Sequence, residues 1–85
     1  MKEKKEKPIG EVTHYYNHIS VAVIKFNRKV KAGETVRFKG ATTEFEQKLD
    51  SMQFDHKEVP QAEKGKEVGV KVDGRVRAGD EIFEV

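Results

Sequence analysis

The sequence predicts an all-β domain, a small closed Greek-key barrel of about six strands. Short runs rich in β-branched and aromatic residues are typical of strands. Turn residues separate these runs, and no window shows sustained helical periodicity. A chain of 85 residues holds one domain at most. Several short strands in so short a chain favour a barrel, because closure of the sheet removes its exposed edges.

Six runs are predicted to be strands, at 9–16, 19–26, 35–39, 42–55, 67–72 and 81–85. The run at 19–26 is the most apolar, as expected of a strand buried inside a barrel. The run at 42–55 has apolar residues at irregular spacings of four, three and two. We therefore predict one long, twisted or bulged strand there. Residues 60–66 are predicted to be a loop that Gly65 closes.

Residues 1–8 are predicted to be a disordered charged tail, and residues 9–85 to be the barrel domain. The formal net charge is +2, and residues 1–7 alone carry four lysines against two glutamates. The rest of the chain is therefore neutral. The basic pI of about 8.9 comes from the tail, so bulk charge gives little support to nucleic-acid binding.

Composition also predicts where the protein works. The chain has no cysteine, which fits a reducing cytoplasm. No apolar run follows the charged tail, so a signal peptide is not expected. The longest apolar stretch, at 21–24, is too short to span a membrane. Charged residues make up 38% of the chain, and cysteine and tryptophan are absent. This bias is typical of proteins from hyperthermophiles.

Segments 29–36 and 75–82 share one pattern: basic, Val, basic, Ala, Gly, acid, any residue, β-branched. Ala and Gly allow the chain to reverse tightly. The acid after the glycine, Glu34 or Asp80, can accept hydrogen bonds from backbone amides of its own turn. The sequence thus predicts two similar corners in one barrel.

These residues resemble a known family. The corner at 30–36, VKAGETV, is similar to the hydrophobic-x-x-Gly-acid-x-Val corner in the second domain of EF-Tu and its relatives. The segment SMQFDHKEVPQA at 51–62 resembles one in archaeal and eukaryotic elongation factor 1-alpha, and 64–70 resembles the strand that follows it there. The resemblance covers residues 9–85 and implies a barrel of the translation-protein domain 2 type. Small standalone translation-factor-like proteins fit best, and the C-terminal barrel of collagenase-like peptidases is also similar.

The chain departs from that family at sites that carry chemistry. The Gly-Arg-Val-x-x-Gly pattern of the GTPases is absent from 23–28. Gln53 stands where EF-Tu has an acid that helps hold the terminal adenosine of tRNA. The segment 65–67 lacks the first glycine and the hydroxyl residue of a phosphate-binding loop. The two serines, Ser20 and Ser51, do not lie in a Gly-x-Ser-x-Gly motif. We expect no enzyme activity, no nucleotide and no other cofactor.

A basic cluster between residues 25 and 39 is opposed only by Glu34. It could bind RNA phosphates, while Tyr15, Tyr16 and Phe26 could stack on bases. The same pattern is also typical of a solvated surface with its aromatic residues in the core. The candidate nucleic-acid-binding residues are Lys25, Arg28, Lys29, Lys31, Arg37 and Lys39.

Two functions follow as hypotheses. The first is non-catalytic binding of RNA or of a ribosome-associated partner. The alternative is a protein–protein interaction module that docks on a partner enzyme or self-associates. His14, His18 and His56 are interpreted as ordinary surface or half-buried side chains rather than metal ligands. Salt distinguishes the two hypotheses, because only phosphate binding falls steeply as salt is added.

Overall fold

The computed structural model describes residues 7–55 and 57–85, and this part of the chain forms strands and turns without a helix. The all-β class is therefore confirmed. The strands are β1 (Gly10–Tyr16), β2 (Val21–Phe26), β3 (Val30–Lys31), β4 (Thr35–Lys39), β5 (Glu44–Lys48), β6 (Met52–Phe54), β7 (Lys57–Val59), β8 (Gln61–Ala62), β9 (Glu67–Lys71) and β10 (Glu81–Glu84). Residues 1–6 of the predicted tail and His56 lie outside the described residues. Within residues 7–55 and 57–85, no helix is long and apolar enough to cross a membrane.

Eight of the strands form one antiparallel sheet, in the order β5-β4-β10-β1-β2-β9-β6-β7. The other two, β3 and β8, pair with each other. The expected closed barrel of six strands is not confirmed, because β5 and β7 end the sheet and do not pair with each other. The sheet is open and curled, with the hydrophobic core on its inner face.

The prediction of one long strand over 42–55 was wrong. The chain forms β5 and β6 instead, which lie at the first and seventh positions of the sheet. Leu49 lies between them and is fully buried. Its N–H donates to the carbonyl of Glu34 and its own carbonyl accepts from the N–H of Gly33, each at 2.8 Å. The apolar spacing is irregular because this core residue comes from a connection and not from a strand.

The segment 60–66, predicted to be a loop, also contains the short strand β8. Val30 and Lys31 of β3 pair with Ala62 and Gln61 of β8. The turn at Gly65 is confirmed by its φ of 82°. A strand of two residues is too short to show an alternation of apolar and polar side chains, so the sequence does not predict it. This small sheet forms because the fold brings two distant segments together.

The two predicted corners are confirmed. The glycine of each has a positive φ, 96° in the first and 99° in the second. Glu34 Oε2 accepts a hydrogen bond from Lys31 N at 2.9 Å. Asp80 Oδ2 accepts one from Arg77 N, also at 2.9 Å. In each corner the acid that follows the glycine thus holds its own turn, as its short reach to the preceding amides predicts.

Side-chain contacts bring the end strand β5 against the last residue of β9 and the segment that follows it. Gln47 Nε2 donates to the carbonyl of Lys71 at 3.0 Å, and Gln47 Oε1 accepts from Asp73 N at 2.8 Å. A Cβ built on Gly74 would lie 2.9 Å from Phe45 Cε1, so the Phe45 ring lies directly against the glycine backbone. The outer edge of β5 is thus joined to residues 71–74 by side-chain contacts and not by a backbone ladder.

Candidate interaction surface

Acidic residues face the predicted basic residues of β4. Arg37 forms an ion pair with Glu46 of β5, with 3.3 Å between Nη2 and Oε2. Lys39 lies in register between Glu44 of β5 and Glu81 of β10. Opposite charges on adjacent strands attract one another across the sheet. This pairing offsets part of the positive charge that the cluster would offer to a phosphate.

Lys25 lies on β2, which β1 and β10 separate from β4. Its neighbours in register are Glu11 of β1 and Glu67 of β9. The sheet therefore does not bring Lys25 beside Arg37 and Lys39. It places Lys25 at the centre of a row in which two acids flank one base.

Arg28 joins two parts of the chain that are far apart in sequence. One of its guanidinium nitrogens, Nη2, lies 2.7 Å from Glu84 Oε2 and 3.3 Å from Glu34 Oε1. Lys29 and Lys31 are exposed on either side of Val30. The other four of the six predicted residues each lie beside at least one acid.

The aromatic residues proposed to stack on bases are mostly unavailable. Phe26 is fully buried, and Tyr15 packs against the core. Tyr16 is 48% exposed. Single-stranded RNA binding uses several exposed aromatic faces, and this surface offers one of the three.

A β-bulge in β1 decides which of its side chains face outward. Val12 pairs with Ile24 and His14 with Val23, so Thr13 is the extra residue. Its hydroxyl donates to the carbonyl of Val23 at 3.2 Å. A bulge of one residue changes which face the following side chains occupy. Beyond it, the ring of His14 lies against that of Tyr16 on the outer face, with 4.4 Å between the ring centroids.

The outer face of β1 and β2 is apolar near the turn that joins them. Tyr16 pairs with Val21, and Ile19 in the turn is 59% exposed. We call this surface the β1–β2 apolar face. It consists of His14, Tyr16, Ile19, Val21 and Val23.

Two neighbouring features shape this face. Gly69 of β9 lies next to Val23 and opposite Gln53 of β6, and it carries no side chain that would stand above the sheet. Two residues along β2 from Val23, Lys25 and its two flanking acids form a charged row. An apolar centre with a polar border is the usual anatomy of a protein–protein interface.

Metal ligands are not gathered in the described part of the chain. No group of three or more His, Asp or Glu residues there could hold an ion. His14 lies on the apolar face and His18 in the adjoining turn. That the three histidines are not metal ligands stays a prediction, and His56 lies outside the described residues.

The known proteins that this chain resembles are named as peptidases. No protein-family profile matches the chain. Over 76 residues, 88% of the chain, it is 42% identical to an uncharacterized protease of Methanocaldococcus jannaschii. The chain spans 19% of the length of that protein.

Two crystal structures share the fold. One is the C-terminal domain of a putative U32 peptidase from Geobacillus thermoleovorans, with a TM-score of 0.84 and 20% identity, covering 100% of this chain and 99% of that one. The other is its selenomethionine variant, with a TM-score of 0.86 and 18% identity, covering 92% of this chain and 99% of that one. At sequence identities this low, the structural similarity establishes a shared fold and nothing beyond it.

These findings correct the expected function. The similarity to the C-terminal barrel of collagenase-like peptidases is confirmed at the level of the fold. The resemblance to domain 2 of EF-Tu is not shown, and the prediction of a translation-factor-like barrel that binds RNA or the ribosome was wrong, because the relative and the structural neighbours belong to peptidases. The alternative, a module that contacts protein, fits these findings better.

Proposed function

We propose that this chain is a non-catalytic interaction module that docks on a peptidase domain of the U32 type. The observation that carries the proposal is its 42% identity to a segment that makes up 19% of a protease. A segment of that size leaves most of such a protein to supply the peptidase chemistry. The fold of a U32 C-terminal domain supports the same role.

The docking site in this proposal is the β1–β2 apolar face. Two of the large hydrophobic side chains exposed on the described residues, Tyr16 and Ile19, lie there. In a chain with 38% charged residues, an exposed apolar surface with a charged border favours contact with protein. Tyrosine is also among the residues that contribute most to binding at interfaces.

The composition supports a role without catalysis. Hydrolysis of a peptide bond needs an activated nucleophile or a metal-bound water. The chain has no cysteine, and its two serines are Ser20 and Ser51. Ser20 lies in the β1–β2 turn with a φ of 56°, and Ser51 lies just before β6. Neither position lies in a motif that activates a serine.

The test uses the Methanocaldococcus protease with its matching segment removed. The fold of this fragment is first verified by circular dichroism, and the 85-residue chain is then titrated into it by calorimetry. We expect a one-to-one complex whose affinity changes little between about 0.1 and about 0.5 M NaCl, because apolar contacts are not screened by salt. The absence of binding to a folded fragment would refute the proposed function.

Ile19→Glu is expected to weaken this complex at least about tenfold, because it buries a charge within the apolar face. The matched control is Val85→Glu, which places the same charge on another exposed aliphatic side chain, 65% exposed against 59% for Ile19. Calorimetry of both variants checks the prediction. Equal weakening by the two substitutions would mean that the β1–β2 apolar face is not the docking site.

A further inference from the structure

An apolar groove of about 260 Å³ opens beside β7, the strand that ends the large sheet. Pockets for drug-sized ligands have volumes of roughly 300–1,000 Å³. This groove is smaller, and it therefore suits one or two side chains rather than a cofactor. Its lining residues are Phe54, Val59, Pro60, Gln61, Glu63, Lys66 and Val68.

The groove combines an apolar floor with a rim of mixed charge. Val68 is 2% exposed, while Phe54 is 41% exposed. The ammonium of Lys66 lies 5.9 Å from the centroid of the Phe54 ring, within the range of a cation–π contact. Glu63 is also exposed at the rim. Charges of opposite sign give no preference for an acidic or a basic ligand, so the groove favours an uncharged, apolar one.

The strand β7 adds hydrogen-bonding groups to this site. Phe54 and Lys57, three positions apart in the sequence, are paired at the end of the β6–β7 hairpin, and Asp55 next to Phe54 has a φ of 57°. Such a pair exchanges hydrogen bonds across the hairpin, and the next pair along an antiparallel ladder does not. The next pair is Gln53 and Glu58. The N–H and C=O of Glu58 therefore point away from β6, toward the open edge.

The groove and the edge together suit one kind of ligand. The side chains of Lys57 and Val59 alternate with that of Glu58 and share the face of the sheet that carries the groove. If a ligand strand pairs one of its residues with Glu58, the residues before and after that one point their side chains to the face that carries the groove. We propose that β7 and this groove bind an extended, uncharged polypeptide segment with apolar side chains two positions apart. This site is separate from the β1–β2 apolar face and does not depend on the function proposed for it.

The probe for this site is a fluorescein-labelled peptide of alternating threonine and leucine. Titrated with the 85-residue chain, it is expected to show a dissociation constant on the order of 0.1 mM by fluorescence anisotropy, the range of a few hydrogen bonds and two buried side chains. In a ¹⁵N-labelled chain, the amide shifts are expected at 57–59 and around Lys66 and Val68. The absence of shifts there, or shifts confined to other strands, would overturn the proposal.

Glu58→Pro removes the N–H offered at the edge and leaves the β6–β7 ladder in place, because proline is tolerated where its N–H would face outward. It is expected to weaken peptide binding about tenfold, the loss of roughly one hydrogen bond. Glu58→Ala keeps the N–H and is expected to bind as the unchanged chain does. Equal affinities for the two variants would overturn strand addition. So would self-association that Glu58→Pro abolishes without any effect of the peptide, because a second copy would then be the occupant of the edge.

Discussion

Gln47→Met is expected to lower the free energy of unfolding by about 2 kcal/mol, since each of the two hydrogen bonds that Gln47 makes with Lys71 and Asp73 contributes about 1 kcal/mol. Gln47 is 8% exposed. It bonds both the carbonyl of Lys71 and the N–H of Asp73. Methionine keeps the length and volume of the side chain but bonds neither group, so the change isolates the hydrogen bonds from the packing.

The matched control is Gln53→Met, because Gln53 lies on a strand with its side chain exposed. Surface substitutions of this kind change stability by less than about 0.5 kcal/mol. Urea denaturation monitored by circular dichroism compares the two variants with the unchanged chain. If both unfold at the same urea concentration, the hydrogen bonds of Gln47 to Lys71 and Asp73 contribute nothing to the free energy of unfolding.

Gly40→Ala is expected to destabilise the fold by about 2 kcal/mol, in the range of overpacked sites. A Cβ built on Gly40 would overlap Asp80 Oδ1 and lie 2.6 Å from Asp80 Cγ. Asp80 is 6% exposed, so its carboxylate has little room to move. Any displacement also breaks its hydrogen bond from Arg77 N, which holds the second corner.

A double-mutant cycle separates this overlap from a general effect of the added methyl group. Asp80→Ala alone is expected to cost about 1 kcal/mol through the lost corner bond. It also removes the atoms that the Gly40→Ala methyl group would meet. The double variant is therefore expected to be more stable than the sum of the single effects predicts, by about 1 kcal/mol or more. Strict additivity in thermal unfolding would mean that the alanine is accommodated without moving Asp80.

The shared corners explain why the sequence pointed toward translation factors. A corner such as 30–36 needs a residue that enters the core, a glycine with positive φ and an acid that caps its own turn. These requirements are local, so small β domains with unrelated roles can meet them with the same residues. The corner pattern therefore carries information about the turn. The similarity to a protease comes from the comparison over 76 residues and not from the corners.

The strands at 35–39 and 67–72 and the two corners were predictable because their determinants are local. Alternation along β4 places Val36 and Phe38 in the core, and both are fully buried. Along β9 the same alternation buries Val68 and Val70. In each corner the glycine and the acid that caps the turn are adjacent in the sequence, so no distant residue is needed to form it.

The candidate sites could be predicted only in part. The sequence marked Tyr16 and the basic cluster as surface candidates but gave no sign that acids would face the bases. Arg28 and Glu84, whose side chains lie 2.7 Å apart, are 56 positions apart in the chain. The outward position of His14 depends on the bulge at Thr13, which is defined by the pairing of β1 with β2. The groove beside β7 likewise needs β6, β7 and β9 to be brought together.

The sequence by itself determined the all-β class, the two corners and five of the ten strands of the described residues, because side-chain alternation and turn chemistry act over a few residues. Only the tertiary structure decided that the sheet is open, that 42–55 divides into two strands at distant sheet positions, and that Gln47 bridges one edge. These features depend on which distant strands become neighbours. That choice is made by the burial of one shared core, and no local pattern encodes it.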